Sequence, residues 1–427
     1  MLTMARVLGE TVSSVQREVR DRLSRPTDAE ILDRFQQQGI NTLVSVPCSI
    51  TATFQDLAAK RSQEGNMKLI RTTHEGNLIG LSAGIHLATG EIPLIHTQNS
   101  GLPNAGDGFI SFARVYKIPT LGIVTWRGNS EKDDSEPHQE IGKSTAKLTR
   151  AIIQDNIHGD RWGRGILNAV DDAIDEAKRG EIAIVRLAKE AFTPIHSPEL
   201  PQREEVYSLA KIRKYRETAK VKGTPFEKLE KRYQSRVPRD EAIEAIVSEN
   251  PDAAILFSNG YTSRAAQAVA DRLGNFYNVG YMGGTLALGI GMATSNPDIE
   301  VIVVDGDQNA QMSTAKDHLF DNYPPNLRWM ILDNGIGASV GTAESLPLAP
   351  WYYNLAHVIP TTPDEYGEFT HPRVRGIGVY FDTDEAREMA KLIGPLPAHT
   401  QRFMQWVQQQ TERNVDNNST LSINLSL

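Results

Sequence analysis

Residues 301–313, VIVVDGDQNAQMS, and residues 327–337, LRWMILDNGIG, decide the fold. Each opens with a short apolar run and ends in acid, amide and glycine: Asp305-Gly306-Asp307 in the first, Asp333-Asn334-Gly335 in the second. Short apolar runs bounded by such residues read as buried strands. The stretch Ala310–Tyr323 between them has a helical pattern, which predicts a strand–helix–strand unit with parallel strands. Both acid-bearing ends then share the carboxyl edge of one sheet, where α/β proteins hold ligands. The Asp307 carboxylate and the Asn334 amide oxygen suit magnesium, which takes one or two protein carboxylates alongside phosphate oxygens. Neighbouring glycines let backbone approach a diphosphate, and a helix starting near Ala310 would offer its first N–H groups. The alternative is that Asp307 and Asn334 only cap loops.

The same alternation runs outward in both directions. Towards the N-terminus of the chain, strands are expected at Thr42–Val46, Lys68–Arg71, Ile92–Thr97, Thr120–Trp126 and Ile182–Leu187. Helices are expected at Ile50–Ala59, Gly76–Ala88 and Gly106–Tyr116. Nearer the motif, helices are expected at Asp240–Ser248, Thr262–Leu273 and Thr285–Thr294, with a strand at Ala253–Phe257. Between these halves, residues 191–238 carry Pro194, Pro198, Pro201 and Pro225 among many Lys, Arg and Glu, and read as a charged linker. The expectation is an α/β protein with two doubly wound parallel-sheet domains, 27–190 and 239–410, after an N-terminal extension, 1–26. Residues 411–427 read as a polar, unstructured tail.

Composition narrows the function classes. With 45 basic against 53 acidic residues, the net charge of −8 argues against nucleic acid. One cysteine, Cys48, excludes an internal disulfide. The first residues lack the apolar core of a signal peptide, and no apolar run suits a membrane span, so a cytoplasmic protein is expected.

Three stretches together resemble a known family. Gly306-Asp307-Gln308, ending at Asn334, is similar to the signature of thiamine-diphosphate-dependent enzymes, Gly-Asp-Gly followed by Asn, with Gln308 in place of the second Gly. The resemblance implies magnesium held by Asp307, Asn334 and the carbonyl of Ile336. The stretch LIRTTHEGNLIGLSAG, residues 69–84, places Glu75 where a strand turns into a helix. In the family, a glutamate there hydrogen-bonds the aminopyrimidine ring of the cofactor. By itself Glu75 could equally be a first-turn carboxylate favoured by the helix dipole. VGYMGGTLALGIGMA, residues 279–293, resembles the Gly-x-Met-Gly pattern that keeps the cofactor bent. Gly280 would offer its carbonyl and Met282 would be the wedge, although methionine at such a junction is often core filler. Asn259 and Gly260, after the strand at Ala253–Phe257, join the cofactor-side candidates.

The domain order, pyrimidine-type then diphosphate-type with no full third domain, resembles the phosphonopyruvate and sulfopyruvate decarboxylase branch. Val46-Pro47-Cys48-Ser49, Gln98-Asn99-Ser100-Gly101-Leu102, Ile123–Gly128 and Gln401-Arg402-Phe403-Met404 carry this likeness. Two stretches depart from it. Ser339-Val340-Gly341-Thr342-Ala343 stands where the branch has Ser-Thr-Gly-Gly-Gln, and Pro137-His138-Gln139 where it has Pro-Gln-His. The likeness implies magnesium-dependent decarboxylation of a small anionic 2-oxo acid, phosphonopyruvate to phosphonoacetaldehyde and CO2 being the first reading. Ser49, Asn99, Ser100 and Arg127 are the substrate-side candidates, because Arg pairs well with oxyanions; each could instead be a turn or cap residue. His74 and His138 are candidate proton carriers. A homodimer or homotetramer is implied, with Glu75 of one subunit meeting the diphosphate domain of another. The alternatives are a sulfopyruvate decarboxylase, a carboligase forming a C–C bond, and a catalytically silent binding protein.

Overall fold

The computed structural model describes residues 25–129, 135–154, 156–159, 165–188, 191, 193, 237–317, 324–337, 343–344, 374–380 and 394–424. It contains two compact units that interleave along the chain. Unit 1 takes 1–75, 92–106 and 119–199; unit 2 takes 76–91, 107–118 and 200–427.

Unit 1 is built on a parallel sheet of six strands in the order β2-β1-β3-β4-β6-β5: β1 Thr42–Ser45, β2 Lys68–Arg71, β3 Leu94–Gln98, β4 Thr120–Trp126, β5 Ile157–His158 and β6 Ile182–Ala188. Helix α1, Asp28–Gln37, starts with a capping box: the Glu30 amide donates to Thr27 Oγ1 and the Thr27 amide donates to Glu30 Oε2. Its apolar face, Ile31, Leu32 and Phe35, is fully buried with Ile166, Val170 and Ile174 of α6, Gly165–Lys178, against Leu43, Leu94, Leu121 and Val185 of the sheet. Helix α2, Ala52–Gln63, and α5, Glu136–Ile153, complete the unit.

Unit 2 holds the second parallel sheet, in the order β7-β14-β11-β10-β8-β9: β7 Val237–Pro238, β8 Ala254–Phe257, β9 Asn275–Tyr277, β10 Val301–Gly306, β11 Leu327–Asp333 and β14 Val374–Tyr380. The central strands β8 and β10 are apolar and buried along most of their length because both faces are covered. Ile302 and Val304 pack with Ile243 and Ile246 of α7, Arg239–Ser248, and with Ala265 and Ala266 of α8, Tyr261–Ala270. Val303 points the other way and fills the space above Gly289 of α9, Thr285–Ser295. Helix α3, Gly76–Thr89, lies along α9 within this unit, which also takes the π turn at Gly108–Ala113 and Arg114–Tyr116; α4, Leu102–Asp107, belongs to unit 1 as far as Gly106. A two-stranded antiparallel ribbon pairs β12, Ile336–Gly337, with β13, Ala343–Glu344.

The two doubly wound sheets expected from the alternation are present. The helix expected at Ala310–Tyr323 is different: α10 begins at Asp307 and ends at Met312, followed by a single turn at Ala315–Asp317, and 318–323 lie outside the described residues. The end of the chain is also different. Residues 411–424, expected to be unstructured, continue α11, Leu396–Asn424, whose first half buries Phe403 and Val407. Most of the linker, the N-terminal extension and residues 339–342 lie outside the described residues. Among the described residues, no helix is long and apolar enough to cross a membrane.

Candidate active site

Each sheet has a pair of neighbouring interior strands from which the chain winds outwards in opposite directions. In unit 2 this switch point falls between β8 and β10, so the loops after these strands open a crevice at the carboxyl edge. Asn259 and Gly260 lie in the first loop, and Gly306 and Asp307 begin the second. The loops touch: the Gly306 amide donates to Ser258 Oγ at 3.2 Å. Asp307 is 4 % exposed. Its Oδ1 accepts from the Gln308 amide at 2.9 Å and its Oδ2 from the Gly335 amide at 3.2 Å, which brings the turn after β11, with Asn334, to the same carboxylate. Gly335 has φ +75°, a conformation that favours glycine. Gln308, by contrast, sits inside α10 with an ordinary negative φ, so a side chain there strains no backbone. Among the described residues, no three His, Cys, Asp or Glu side chains gather as a metal site. A single carboxylate, an amide and the backbone of Ile336 leave coordination positions open. That donor set fits a magnesium ion completed by diphosphate oxygens better than an all-protein cage.

The Gly280–Gly283 loop stands beside this edge in unit 2. Asn278 Oδ1 accepts from the amides of Gly280 and Tyr281, Asp107 Oδ2 from that of Met282 at 3.0 Å, and Asn309 Oδ1 from that of Gly283 at 2.7 Å. A Cβ at Gly280 would sit 2.5 Å from the Ser111 carbonyl oxygen, so glycine is required there by close approach. Met282 itself is 57 % exposed and therefore is not core filler. The Tyr281 hydroxyl, buried and pushed well above its ordinary pKa by desolvation, stays neutral. It donates to the Gly76 carbonyl and accepts from the Gly80 amide, fixing the first turn of α3.

In unit 1 the switch point falls between β1 and β3. The loops after these strands carry Ser49, Asn99 and Ser100, and Arg127 follows β4. Arg127 Nη1 donates to Ser49 Oγ at 3.2 Å, and Gln98 Nε2 donates to Ser100 Oγ at 2.6 Å. Asn99 is fully buried and holds the loop from behind: its Nδ2 donates to the Arg127 carbonyl and to Thr145 Oγ1, and its Oδ1 accepts from the Arg127 amide. It therefore holds the Arg127 backbone in place. His138 lies in the first turn of α5, where its carbonyl oxygen would be 1.8 Å from a Cβ on Gly128. Glu75 ends the loop after β2. Its Oε2 accepts from Asn104 Nδ2 at 2.9 Å, and its carboxylate lies directly over Gly101. His74 immediately precedes it.

The sequence reading missed Asn104, Asn309 and Asp107, single polar residues whose places come from long-range pairing. Gly101, quoted for its family likeness, had a legible signal in the Gly-Leu-Pro-Asn turn, though not its partner Glu75.

Two parallel sheets, each with polar loops at its switch point, are the setting in which the chain's relatives are informative. Residues 27–148 match the thiamine pyrophosphate enzyme, N-terminal TPP binding domain. The structure of the thiamine diphosphate-dependent 4-hydroxybenzoylformate decarboxylase of Rhodococcus jostii aligns with a TM-score of 0.54 and 13 % identity, over 90 % of this chain and 97 % of that one. More narrowly, the chain is 30 % identical over 328 residues to phosphonopyruvate decarboxylase of Streptomyces hygroscopicus, covering 73 % of each. It is 28 % identical over 335 residues to sulfopyruvate decarboxylase of Methanosarcina acetivorans, covering 75 % of this chain and 79 % of that protein. The chain belongs to the phosphonopyruvate decarboxylase family of thiamine-diphosphate enzymes.

Proposed function

We propose that the protein decarboxylates a small anionic 2-oxo acid, phosphonopyruvate to phosphonoacetaldehyde and CO2, with thiamine diphosphate and magnesium. Asp307, Asn334 and the Ile336 carbonyl are the proposed metal ligands; the loops at Asn259-Gly260 and Gly306–Gln308 are proposed to cradle the diphosphate. Thiamine diphosphate, when bound, supplies the carbon nucleophile and the electron sink that 2-oxo acid decarboxylation requires. Glu75 would accept the aminopyrimidine ring as a hydrogen-bond partner when the cofactor is bound, and Asn104 holds its carboxylate in place. Gly280 and Met282 are the residues that would contact the cofactor between its two rings. His74 and His138 are the candidates for protonating the product carbon.

The observation that carries the substrate reading is the Arg127–Ser49 pair at the switch point of unit 1. A guanidinium beside a hydroxyl offers several N–H and O–H donors to a tetrahedral oxyanion tail. The test compares phosphonopyruvate, sulfopyruvate and pyruvate by CO2 and aldehyde formation. Wild type is expected to prefer a substrate with an anionic tail. Arg127→Ala should raise KM for that substrate about 10-fold or more and leave KM for pyruvate nearly unchanged. Equal losses on both substrates would remove Arg127 from the tail site. Glu75→Gln should lower kcat by roughly 10²- to 10⁴-fold without lowering the unfolding temperature; full activity in that variant would refute the assignment.

Sulfopyruvate is the second reading, favoured by the Methanosarcina relative, and the same panel decides it. Adding acceptor aldehydes to the assay tests C–C bond formation. The assembly proposed is a homodimer, or a tetramer built from it.

A further inference from the structure

Asn309 is 5 % exposed and lies in the first turn of α10, two residues after Asp307. Its side chain works in two directions. Nδ2 donates to Asp305 Oδ1 at 2.5 Å and reaches Thr285 Oγ1 at 3.5 Å. Oδ1 accepts from the Gly283 amide at 2.7 Å. Asp305 is fully buried, and its other oxygen accepts from Trp329 Nε1 of β11 at 2.8 Å. A continuous chain of hydrogen bonds thus runs from β11 through Asp305 and Asn309 to the residue after Met282. The fit is tight at the far end: Gly283 has φ +70°, and a Cβ there would meet the Met312 carbonyl carbon and oxygen at 2.8 Å. An amide is the side chain suited to this position, because it donates to a carboxylate and accepts from a backbone N–H at once.

We infer that Asn309 is a positioning residue, a strut that fixes the Met282 loop relative to the strand end bearing Asp307. The inference rests on the cofactor reading above. The loop that would bind metal and diphosphate and the loop that would bend the cofactor are separate in sequence. A ligand spanning both needs their spacing held, and the pre-set spacing removes an ordering cost at binding. The strut therefore matters to a ligand that reaches both loops and not to one that occupies the diphosphate loop alone.

The test titrates purified protein by calorimetry with Mg2+ and inorganic pyrophosphate, then with Mg2+ and thiamine diphosphate. Asn309→Asp keeps an acceptor for Gly283 but sets a second carboxylate against Asp305. It is expected to weaken thiamine diphosphate about 10-fold or more and pyrophosphate by less than about 3-fold. The double variant Asp305→Asn with Asn309→Asp restores the donor–acceptor pair in reverse, so it should recover most of the lost affinity. Asn309→Ala in a Met282→Ala background should add little to the loss already caused by Met282→Ala. Equal losses for both ligands, no rescue by the reversed pair, or additive losses with Met282→Ala would each overturn the strut. If Asn309→Asp does not fold, the folded double variant still tests it: affinity near wild type supports the strut, and affinity as low as that of Met282→Ala overturns it. Wild type that binds pyrophosphate but not thiamine diphosphate overturns the cofactor reading itself, and the strut with it.

Discussion

Single positions at the candidate site are set by what their neighbours leave free. At Gly101, a Cβ would lie 2.3 Å from Glu75 Oε1 and 2.4 Å from the carboxyl carbon. The obstacle is the flexible end of a side chain, so Gly101→Ala should fold by swinging Glu75 aside. Asn104 would then lose its partner. The expected outcome is an unfolding temperature near wild type with kcat lowered about 10²-fold or more, as for a misplaced proton-transfer group. Gly101→Ala with wild-type kcat would show that Glu75 needs no fixed position. Glu75 itself stood out in the sequence because it sits at a strand-to-helix turn beside a recognisable motif. Its dependence on Gly101 did not, since two loops far apart in the chain must be brought together before a steric argument exists. Asn99 shows the same limit. Its residue type suggested a substrate contact, and only the folded loops show that its side chain holds the Arg127 backbone in place.

Elements carry a second set of constraints. Helices α3 and α9 approach until backbones touch: a Cβ at Gly84 would lie 2.1 Å from the Leu288 carbonyl oxygen, and one at Gly291 2.2 Å from the Leu81 carbonyl oxygen. Backbone cannot swing aside as Glu75 can, so Gly84→Val should cost roughly 3 kcal/mol or more. A large drop in unfolding temperature or in soluble yield checks this, and a stable Gly84→Val protein would contradict the close packing. The strands and helices with strong patterns, from Thr42 to Trp126 and from Ala254 to Asp333, were legible because buried parallel strands are continuous apolar runs. The short strand β5 and edge strand β9 were not, having two and three residues and no periodicity to read. The end of α10 was misjudged because a helical pattern cannot report where Ser313 leaves the helix with ψ 123°. Beneath the Val46–Ser49 loop, His96 joins β3 to the start of α2: Nδ1 pairs with Ser45 Oγ at 2.9 Å and Nε2 with Thr51 Oγ1 at 2.8 Å. Burial holds its pKa down to about 4, from 6.5. The folded state binds the proton less readily than the unfolded chain, so this contribution is complete above pH 6.5 and is lost as pH falls towards 4. Denaturant unfolding at pH 7 and pH 5 should show a smaller pH slope for His96→Gln than for wild type, by about 1.4 kcal/mol per pH unit at most. Equal slopes would mean that folding does not shift the His96 pKa.

At the scale of the molecule, the remaining question is how many chains one active centre needs. Glu75 belongs to unit 1, and Asp307 and Asn334 to unit 2. The family likeness implies that a proton-sharing glutamate and a metal-binding carboxylate act from different protomers. Two inactive variants can test this directly. Glu75→Gln spoils one contribution and Asp307→Ala the other. In a dimer mixed from both, each site draws its glutamate from one chain and its aspartate from the other, so one of the two sites is intact and the other is doubly defective. Random mixing yields mixed dimers in about half of the population, hence about one quarter of wild-type activity. If every site is completed within one chain, no combination is intact and the mixture stays as inactive as its parents. Co-expression, or joint refolding from denaturant, followed by a CO2-release assay distinguishes these outcomes. Sedimentation of the same sample establishes that mixed dimers formed. Recovery near one quarter supports the shared site, and none in a verified mixed dimer assigns both groups to the same polypeptide.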